Sequence, residues 1–274
     1  MLNIKCDLHT HTLYSAHAYS TIEENVREAE AIGLELIAST DHFSSMVVAE
    51  DEDLRSYQFF TNQGCWRRLW HNVKVLRGCE VDIVNPDGYL FGMGLPIKKS
   101  IVGDPYKDDK DLFQRTTERL DFIIASVHGK WGLQGITRNQ ATQMYITVLE
   151  DPRILMLGHI GRAGIPFETD EVLNRAKELH KPIEINEHSV IWSGDVADRC
   201  KEIAIRCAEL GVSVCVNTDA HIATDIGRFP TAIAMLEEIH FPQELIMNRD
   251  SESFLSQYYA AGFPEIDFSE EDMK

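Results

Sequence analysis

The chain has 274 residues, enough for one barrel-sized domain or two smaller ones, and its 44% hydrophobic and 26% charged content is typical of a globular protein. Its 44 acidic and 26 basic side chains give a net charge of −18, which disfavours long-range attraction to nucleic acid or to an anionic membrane. The sequence contains no apolar stretch long enough to span a membrane, no signal-peptide pattern and no CxxC pair among its six cysteines. It therefore predicts a cytoplasmic protein whose thiols are reduced.

Short apolar runs and helical patterns alternate along the chain. Seven runs are predicted to be strands: residues 4–8, 34–39, 75–81, 122–127, 154–158, 182–186 and 212–217. The intervening segments predict helices over residues 21–33, 66–73, 138–149, 170–180, 195–210 and 251–260, with two more beginning after Asp108 and near Thr231.

This alternation indicates an α/β fold. Polar residues end nearly every predicted strand, whereas a doubly wound sheet would concentrate them at one switch point. The sequence therefore predicts a distorted (β/α)7 TIM-like barrel that occupies residues 1–274 as a single domain. The acidic tail from about residue 265 onward is expected to fray.

Nine residues with metal-binding side chains lie at or just after the ends of these strands: His9, His11, His17, His42, Glu80, His128, His159, Asp219 and His221. The carboxyl ends of the strands meet at one face of a (β/α) barrel, where catalytic residues gather. Imidazole combined with carboxylate suits zinc, manganese or iron. Nine ligands are more than one ion can use, so the sequence predicts an enzyme with several metal ions.

The His9-x-His11 pair places two imidazoles on the same side of an extended backbone, because side chains alternate along a strand. Both can therefore bind one ion. Glu80 and Asp219 come from other strand ends, and either carboxylate could bind one ion or bridge two.

Residues outside this ligand set are interpreted as supporting groups, substrate contacts or ordinary surface positions. Asp7 and Asp41 lie beside histidines and are expected to fix an imidazole tautomer rather than bind metal. His188 follows a strand and is a candidate for substrate contact or proton transfer. Three cations follow metal motifs and are candidates for binding phosphate oxygens, with ordinary loop charge as the alternative: Lys130, Arg162 and Arg228. Five residues in predicted helices are assigned to surface or packing positions: Trp66, Trp70, His71, His180 and His240.

Seven short motifs occur in a fixed order: Asp-Leu-His-Thr-His, Ser-Ala-His-Ala-Tyr-Ser, Thr-Asp-His, Gly-Cys-Glu, Val-His, Gly-His-Ile and Thr-Asp-Ala-His. This order resembles that of the polymerase-and-histidinol-phosphatase (PHP) family, and especially its stand-alone bacterial phosphatases of the YcdX-like branch. The similarity runs along nearly the whole chain and includes Glu184-Ile185-Asn186 and Phe241-Pro242-Gln243-Glu244. It is weak over residues 47–120 and at Glu187-His188-Ser189, which leaves substrate specificity open.

The resemblance implies a distorted (β/α)7 barrel with three metal ions, usually described with zinc. It also implies how the ligands are shared. One ion is held by His9, His11, Glu80 and Asp219; Glu80 bridges to a second, also held by His128 and His159; the third is held by His17, His42 and His221.

These residues favour a metal-dependent phosphoesterase, and within that class a phosphatase acting on a small phosphorylated metabolite. A metal-bridging hydroxide is the expected nucleophile, because metal ions activate water and neutralise phosphoryl oxygens. The leaving group could be protonated by a metal-bound water, by Asp219 or by His188. The alternatives are a histidinol-phosphate phosphatase, an exonuclease, a binuclear amidohydrolase and a non-catalytic metal-binding protein. The acidic net charge disfavours the exonuclease, and a binuclear amidohydrolase would have no use for His17 and His221.

Overall fold

In a computed structural model of the protein, residues 2–129, 132–192 and 194–269 are described, and seven parallel strands among them form a nearly closed barrel. The strands are β1 Cys6–Asp7, β2 Leu36–Ser39, β3 His42–Phe43, β4 Leu69–Trp70, β5 Val73–Asp82, β6 Phe122–Ser126, β7 Ile154–Leu157, β8 Ile183–Asn186 and β9 Val214–Asn217. Their order around the barrel is β1-β2-β5-β6-β7-β8-β9, and β3 and β4 are short strands that pair with β5. Each of the seven predicted strands is present, and the predicted distorted (β/α)7 barrel is confirmed.

The barrel closes where the first strand meets the last. The Asp219 backbone N–H donates to the His9 carbonyl at 2.9 Å, at the carboxyl end of this seam. Further down, the side-chain amide of Asn248 donates to the carbonyls of Cys6 and Val216 at 2.8 and 2.6 Å. Asn248 thus supplies hydrogen bonds in a gap between two strands. The closure brings together motifs from the two ends of the chain.

Helices cover the outside of the barrel, and most begin and end where the local sequence indicates. Thr21 and Glu24 form a reciprocal capping box at the start of α1, and Gly33 ends that helix with a φ of 79°. The helices are α1 Ile22–Ile32, α2 Gln58–Thr61, α3 Leu112–Thr117, α4 Arg138–Glu150, α5 Thr169–Glu178, α6 Glu187–Val190, α7 Asp195–Leu210, α8 Pro230–Glu238 and α9 Ser251–Ala260. None of these described helices is both long enough and apolar enough to cross a membrane.

The predicted helix over residues 66–73 is wrong. Leu69–Trp70 is instead strand β4, which pairs antiparallel with the start of β5. The turn between them is His71-Asn72, with φ values of 47° and 66°. Two successive positive φ angles are what a tight hairpin turn requires, so turn chemistry outweighed the helical spacing of the aromatic residues.

The structure describes only the first part of the tail that the sequence predicts to fray. Ile266 and Phe268 are half-buried and pack against a hydrophobic cluster that contains Phe254, Tyr258 and Phe263. Apolar side chains at alternate positions therefore hold this segment against the barrel. Residues 270–274 lie outside the described residues.

Strand β8 shows how the barrel directs polar groups toward its interior. All four of its side chains are buried. Ile183 and Ile185 belong to the main hydrophobic core. Because side chains alternate along a strand, Glu184 and Asn186 project from the opposite face, where they contact one another at 3.2 Å. A carboxylate is thereby placed inside the barrel beneath its carboxyl-end face.

Candidate active site

The nine predicted ligands converge at the carboxyl ends of the strands, around the fully buried Glu80 at the end of β5. One Glu80 oxygen, Oε2, lies 2.8 Å from His42 Nδ1 and 3.3 Å from His9 Nε2. The other oxygen, Oε1, lies 2.8 Å from His159 Nε2 and 3.1 Å from His128 Nε2. The carboxylate therefore contacts imidazoles from four separate segments and has the position expected of a bridging ligand.

Asp219 brings the two histidines of the first motif together. Its Oδ1 atom lies 3.1 Å from His11 Nε2 and 3.6 Å from His9 Nε2. Both imidazoles therefore point to the same side of the chain, as their spacing predicts. The potential donor atoms of these three residues all lie within 4.8 Å of one another, close enough for one metal ion.

A second group of imidazoles comes from three separate segments: His17 and His221 lie in loops, and His42 begins the short strand β3. His17 Nε2 lies 2.9 Å from His221 Nε2 and 3.3 Å from His42 Nε2. The rings of His11 and His42 stack with centroids 4.2 Å apart, which places this group against the first pair. Residues far apart in sequence thus converge without an apolar core between them, an arrangement typical of a metal site.

Two buried carboxylates orient the imidazoles, and sequence reasoning missed both roles. Glu184 Oε1 lies 2.7 Å from His9 Nδ1, and Asp82 Oδ1 lies 2.6 Å from His128 Nδ1. A carboxylate that contacts the far ring nitrogen fixes the tautomer and presents the near nitrogen to a metal. The sequence did carry a signal: Glu184 is a charge inside an apolar strand, and Asp82 shares a strand face with Glu80.

The expectation that Asp7 and Asp41 fix imidazole tautomers is wrong for Asp7, and Asp41 reaches an imidazole only through a hydroxyl group. Asp7 accepts hydrogen bonds from the backbone and hydroxyl of Thr218, and Asp41 accepts from the backbone N–H and hydroxyl groups of Thr12 and Ser15. Both carboxylates are buried. Asp7 therefore holds the loop that carries Asp219 and His221. Asp41 holds the Ser15 hydroxyl, whose oxygen lies 3.2 Å from His11 Nδ1, and so orients that imidazole indirectly.

Unpaired polar atoms at the centre of the cluster fit a bound cation. His9 Nε2, His42 Nδ1 and Glu80 Oε2 are buried without a hydrogen-bond partner. If His9 donates its Nδ1 hydrogen to Glu184, its Nε2 lone pair faces the Glu80 carboxylate, and these two acceptors repel each other. A positive charge between them removes the repulsion, and nitrogen and oxygen donors of this kind suit zinc, manganese or iron.

The electrostatics of the clustered side chains agree with this interpretation. Burial raises the pKa of Glu80, but the imidazoles of His128, His9 and His42 outweigh it and hold this pKa well below its usual value. Burial likewise opposes ionisation of Asp219, yet the nearby His9, His11 and Arg162 hold its pKa well below its usual value. Both carboxylates are therefore anions that need positive neighbours.

The imidazoles of His9 and His128 supply that positive charge, because both hold their protons strongly. Burial lowers the pKa of His9 and of His128, but the adjacent carboxylates prevail. Glu184 and Glu80 raise the pKa of His9 well above its usual value, and Glu80 and Asp82 raise that of His128 to about 10. By contrast, burial lowers the pKa of His221 to about 4, so this imidazole stays neutral and ready to bind metal. A divalent ion would displace the two protons.

Of the three predicted phosphate-binding cations, the structure brings Arg162 to the cluster. Its Nη2 atom donates to Asp219 Oδ2 at 2.8 Å and to Asn186 Oδ1 at 2.7 Å. Arg228 is not brought there: its guanidinium donates to Glu28 at 3.1 Å and to a loop carbonyl, because a carboxylate on α1 lies within reach. Lys130 lies outside the described residues.

His188, the candidate for substrate contact or proton transfer, lies at the opening of the cluster. It is exposed, on the short helix α6. Its ring centroid lies 6.3 Å from that of His221 and 6.3 Å from that of Trp192. The side chain can therefore meet a bound molecule without itself being one of the buried ligands.

The chain is similar over nearly its whole length to several bacterial proteins described as probable phosphatases. The chain is 35% identical over 257 residues to a probable phosphatase of Clostridium acetobutylicum, covering 93% of this chain and 95% of that protein. It is 33% identical over 267 residues to a probable phosphatase of Aliivibrio fischeri, covering 97% of each.

Among solved structures, the fold is similar to that of a histidinol phosphate phosphatase from Lactococcus lactis, complexed with zinc, L-histidinol and phosphate. The TM-score is 0.52 at 19% identity, covering 87% of this chain and 94% of that one. A chain of archaeal ribonuclease P has a TM-score of 0.50 at 12% identity, covering 97% and 98%. These structural similarities show the fold alone. The family description "PHP domain" matches residues 7–188, and the chain therefore belongs to the PHP family.

Proposed function

We propose that this protein is a metal-dependent phosphatase that hydrolyses a small phosphate monoester with three divalent ions, zinc first and manganese or iron as alternatives. The observation that carries the proposal is the convergence of eight potential ligand side chains around a ninth, Glu80, with buried unpaired atoms facing one another. We assign His9, His11, Glu80 and Asp219 to one ion, Glu80, His128 and His159 to a second, and His17, His42 and His221 to a third.

When bound, the ions would lower the pKa of a water nucleophile and neutralise the oxygens of the phosphoryl group. The protein's own residues prepare the site. Glu184 and Asp82 hold the His9 and His128 rings in one tautomer, so that the opposite nitrogens face Glu80. Arg162 supplies a fixed cation beside Asp219, where it can hold a phosphoryl oxygen.

The leaving alkoxide needs a proton, which a metal-bound water, Asp219 or His188 could supply. The low pKa of Asp219, held down against burial by His9, His11 and Arg162, keeps that carboxylate ionised. It therefore suits a ligand better than an acid. His188 is exposed at the opening and can exchange protons with water, so we assign proton delivery to His188.

The names of the bacterial relatives support a phosphatase. Histidinol phosphate is one candidate substrate, since the Lactococcus lactis structure contains L-histidinol and phosphate. An exonuclease is disfavoured by the net charge of −18. An amidohydrolase with two ions would leave the imidazole group of His17, His42 and His221 without a role.

The proposal is tested by loading the purified protein with zinc, measuring bound metal by elemental analysis and assaying p-nitrophenyl phosphate. We expect about three ions per chain, activity that is lost with a chelator, and inhibition by inorganic phosphate. Saturation at one ion would refute the three-ion centre. Cleavage of single-stranded DNA without monoester hydrolysis would favour the exonuclease.

A further inference from the structure

The guanidinium group of Arg162 is held by hydrogen bonds on two of its three nitrogens. Nε donates to Ser189 Oγ at 2.8 Å, and Nη2 donates to Asn186 Oδ1 at 2.7 Å and to Asp219 Oδ2 at 2.8 Å. The third nitrogen, Nη1, has no hydrogen-bond partner among the residues that the structure describes. The side chain is 18% exposed, so a bound molecule can reach it. Arg162 therefore offers a donor beside Asp219.

The contact between Arg162 and the segment after β8 is made by a buried hydroxyl group. Ser189 is fully buried, and its Oγ accepts from Arg162 and donates to Asn186 Oδ1 at 2.9 Å. The same Asn186 oxygen accepts from the Ser189 N–H at 2.9 Å and so caps helix α6. Because the hydroxyl both donates and accepts, its direction is fixed, and it fixes the direction of Arg162 Nε in turn.

The backbone that carries Arg162 is held as well, partly by α7. The Arg162 N–H donates to the His159 carbonyl at 2.8 Å, and Arg199 Nε donates to the Gly161 carbonyl at 2.9 Å. Gly161 packs closely on α7, since a side-chain carbon there would lie 2.7 Å from Cys200 Sγ. With both ends fixed, the guanidinium meets a ligand with less loss of conformational entropy than a free surface arginine.

The contact at Nε matters because a buried anion lies beside the arginine. Two parallel hydrogen bonds are the arrangement that a guanidinium and a carboxylate prefer, and the Asp219 carboxylate is buried within reach. A guanidinium freed at Nε can turn both terminal nitrogens toward Asp219. The Ser189 hydroxyl opposes this rotation, because it holds the plane of the guanidinium through Nε. Nη1 is thereby left for a ligand.

We infer that Ser189 is a positioning residue for the phosphate monoester: its hydroxyl holds Arg162 so that Nη1 donates to a non-bridging phosphoryl oxygen. This inference rests on the proposed phosphatase function. Ser189 acts only through Arg162, since its hydroxyl contacts no predicted metal ligand among the described residues.

The test compares Ser189→Ala with the wild type, both full-length, at saturating zinc and with bound metal measured by elemental analysis. We expect inorganic phosphate, titrated by calorimetry, to bind about 10-fold more weakly, the lower end of what a hydrogen bond to a charged group contributes. KM for p-nitrophenyl phosphate should rise by a similar factor. kcat should change less than about 3-fold, because a contact made equally in bound substrate and transition state alters KM alone.

A double-mutant cycle separates an effect through Arg162 from a general structural effect. In an Arg162→Gln background, Ser189→Ala should change phosphate binding by less than about 2-fold, because the group that it positions is absent. Ser251→Ala is the matched control. It removes another buried hydroxyl that accepts from a cation, Lys74 Nζ at 2.9 Å, near the amino end of β5. This control should keep the wild-type values.

Unchanged phosphate binding and KM in Ser189→Ala would overturn the inference and leave the phosphatase activity intact. A lower zinc content in Ser189→Ala would overturn it too, since the hydroxyl would then support the metal centre. So would a 10-fold effect that persists in the Arg162→Gln background. If the zinc-loaded wild-type protein neither bound phosphate nor hydrolysed p-nitrophenyl phosphate, the proposed function would fail and the inference with it.

Discussion

Replacement of Glu184 by glutamine tests whether the buried carboxylate behind His9 organises the metal centre. Its two oxygens are contacted by His9 Nδ1 at 2.7 Å, the His159 backbone N–H at 2.7 Å, Asn217 Nδ2 at 2.9 Å and Asn186 Nδ2 at 3.2 Å. All four are donors when His9 carries its hydrogen on Nδ1. A glutamine amide must turn its NH2 group toward one pair of them, so either orientation places donors against donors.

The size of the effect follows from these contacts. Losing a hydrogen bond to a buried charged acceptor costs about 1.5–3 kcal/mol. If His9 instead adopts the other tautomer, its Nε2 lone pair no longer faces the metal. We therefore expect about 10- to 100-fold weaker zinc binding, the range found when a group that orients a metal ligand is removed.

The assay is zinc titration against a competing chelator, with hydrolysis of p-nitrophenyl phosphate measured at saturating zinc. Glu238→Gln is the matched control, because that carboxylate is exposed and pairs only with Lys201 among the described contacts. It should bind zinc like the wild-type protein. The role given to Glu184 would be refuted if Glu184→Gln bound zinc within about twofold of the wild-type affinity, because that change is too small for a lost charged hydrogen bond.

Three further predictions concern the cluster itself. Glu80→Gln should lower metal occupancy at two positions and reduce the rate of p-nitrophenyl phosphate hydrolysis at least ~100-fold. Full metal content with a near-normal rate of hydrolysis would exclude Glu80 as a ligand. His17→Ala should leave about two ions per chain and little phosphatase activity. Its thermal unfolding transition should be unchanged, because apolar packing holds the barrel. Three bound ions with normal hydrolysis would show that the third site does not exist. Because Glu80 and Asp82 raise the pKa of His128 to about 10, this imidazole should release a proton when the protein binds zinc near pH ~8, and zinc affinity should rise with pH. Proton release is measured by calorimetry in buffers of different ionisation enthalpy. If His128 were already neutral, no proton release would be seen.

The sequence alone predicted the architecture and the set of side chains that converge at the carboxyl-end face of the barrel. Seven apolar runs separated by helix signals predict the barrel, because hydrophobic periodicity and capping residues act over a few neighbouring positions. Polar residues at strand ends predict the ligand set, because parallel strands in a barrel present their carboxyl ends at one face. Local patterns failed where a tight turn decided the outcome, as at His71-Asn72, where a hairpin replaced the predicted helix.

Only the tertiary structure decided which groups support the ligands. Glu184 contacts His9 across 175 positions of sequence, whereas Asp7 and Asp41, although adjacent to histidines in sequence, bind hydroxyl and backbone groups instead. Arg162 and Arg228 have similar sequence contexts, yet one reaches Asp219 and the other pairs with Glu28. Hydrogen-bond partners depend on distances between segments that meet only when the barrel closes. A charge inside an apolar strand marks Glu184 as unusual, but the local sequence does not identify the group that it contacts.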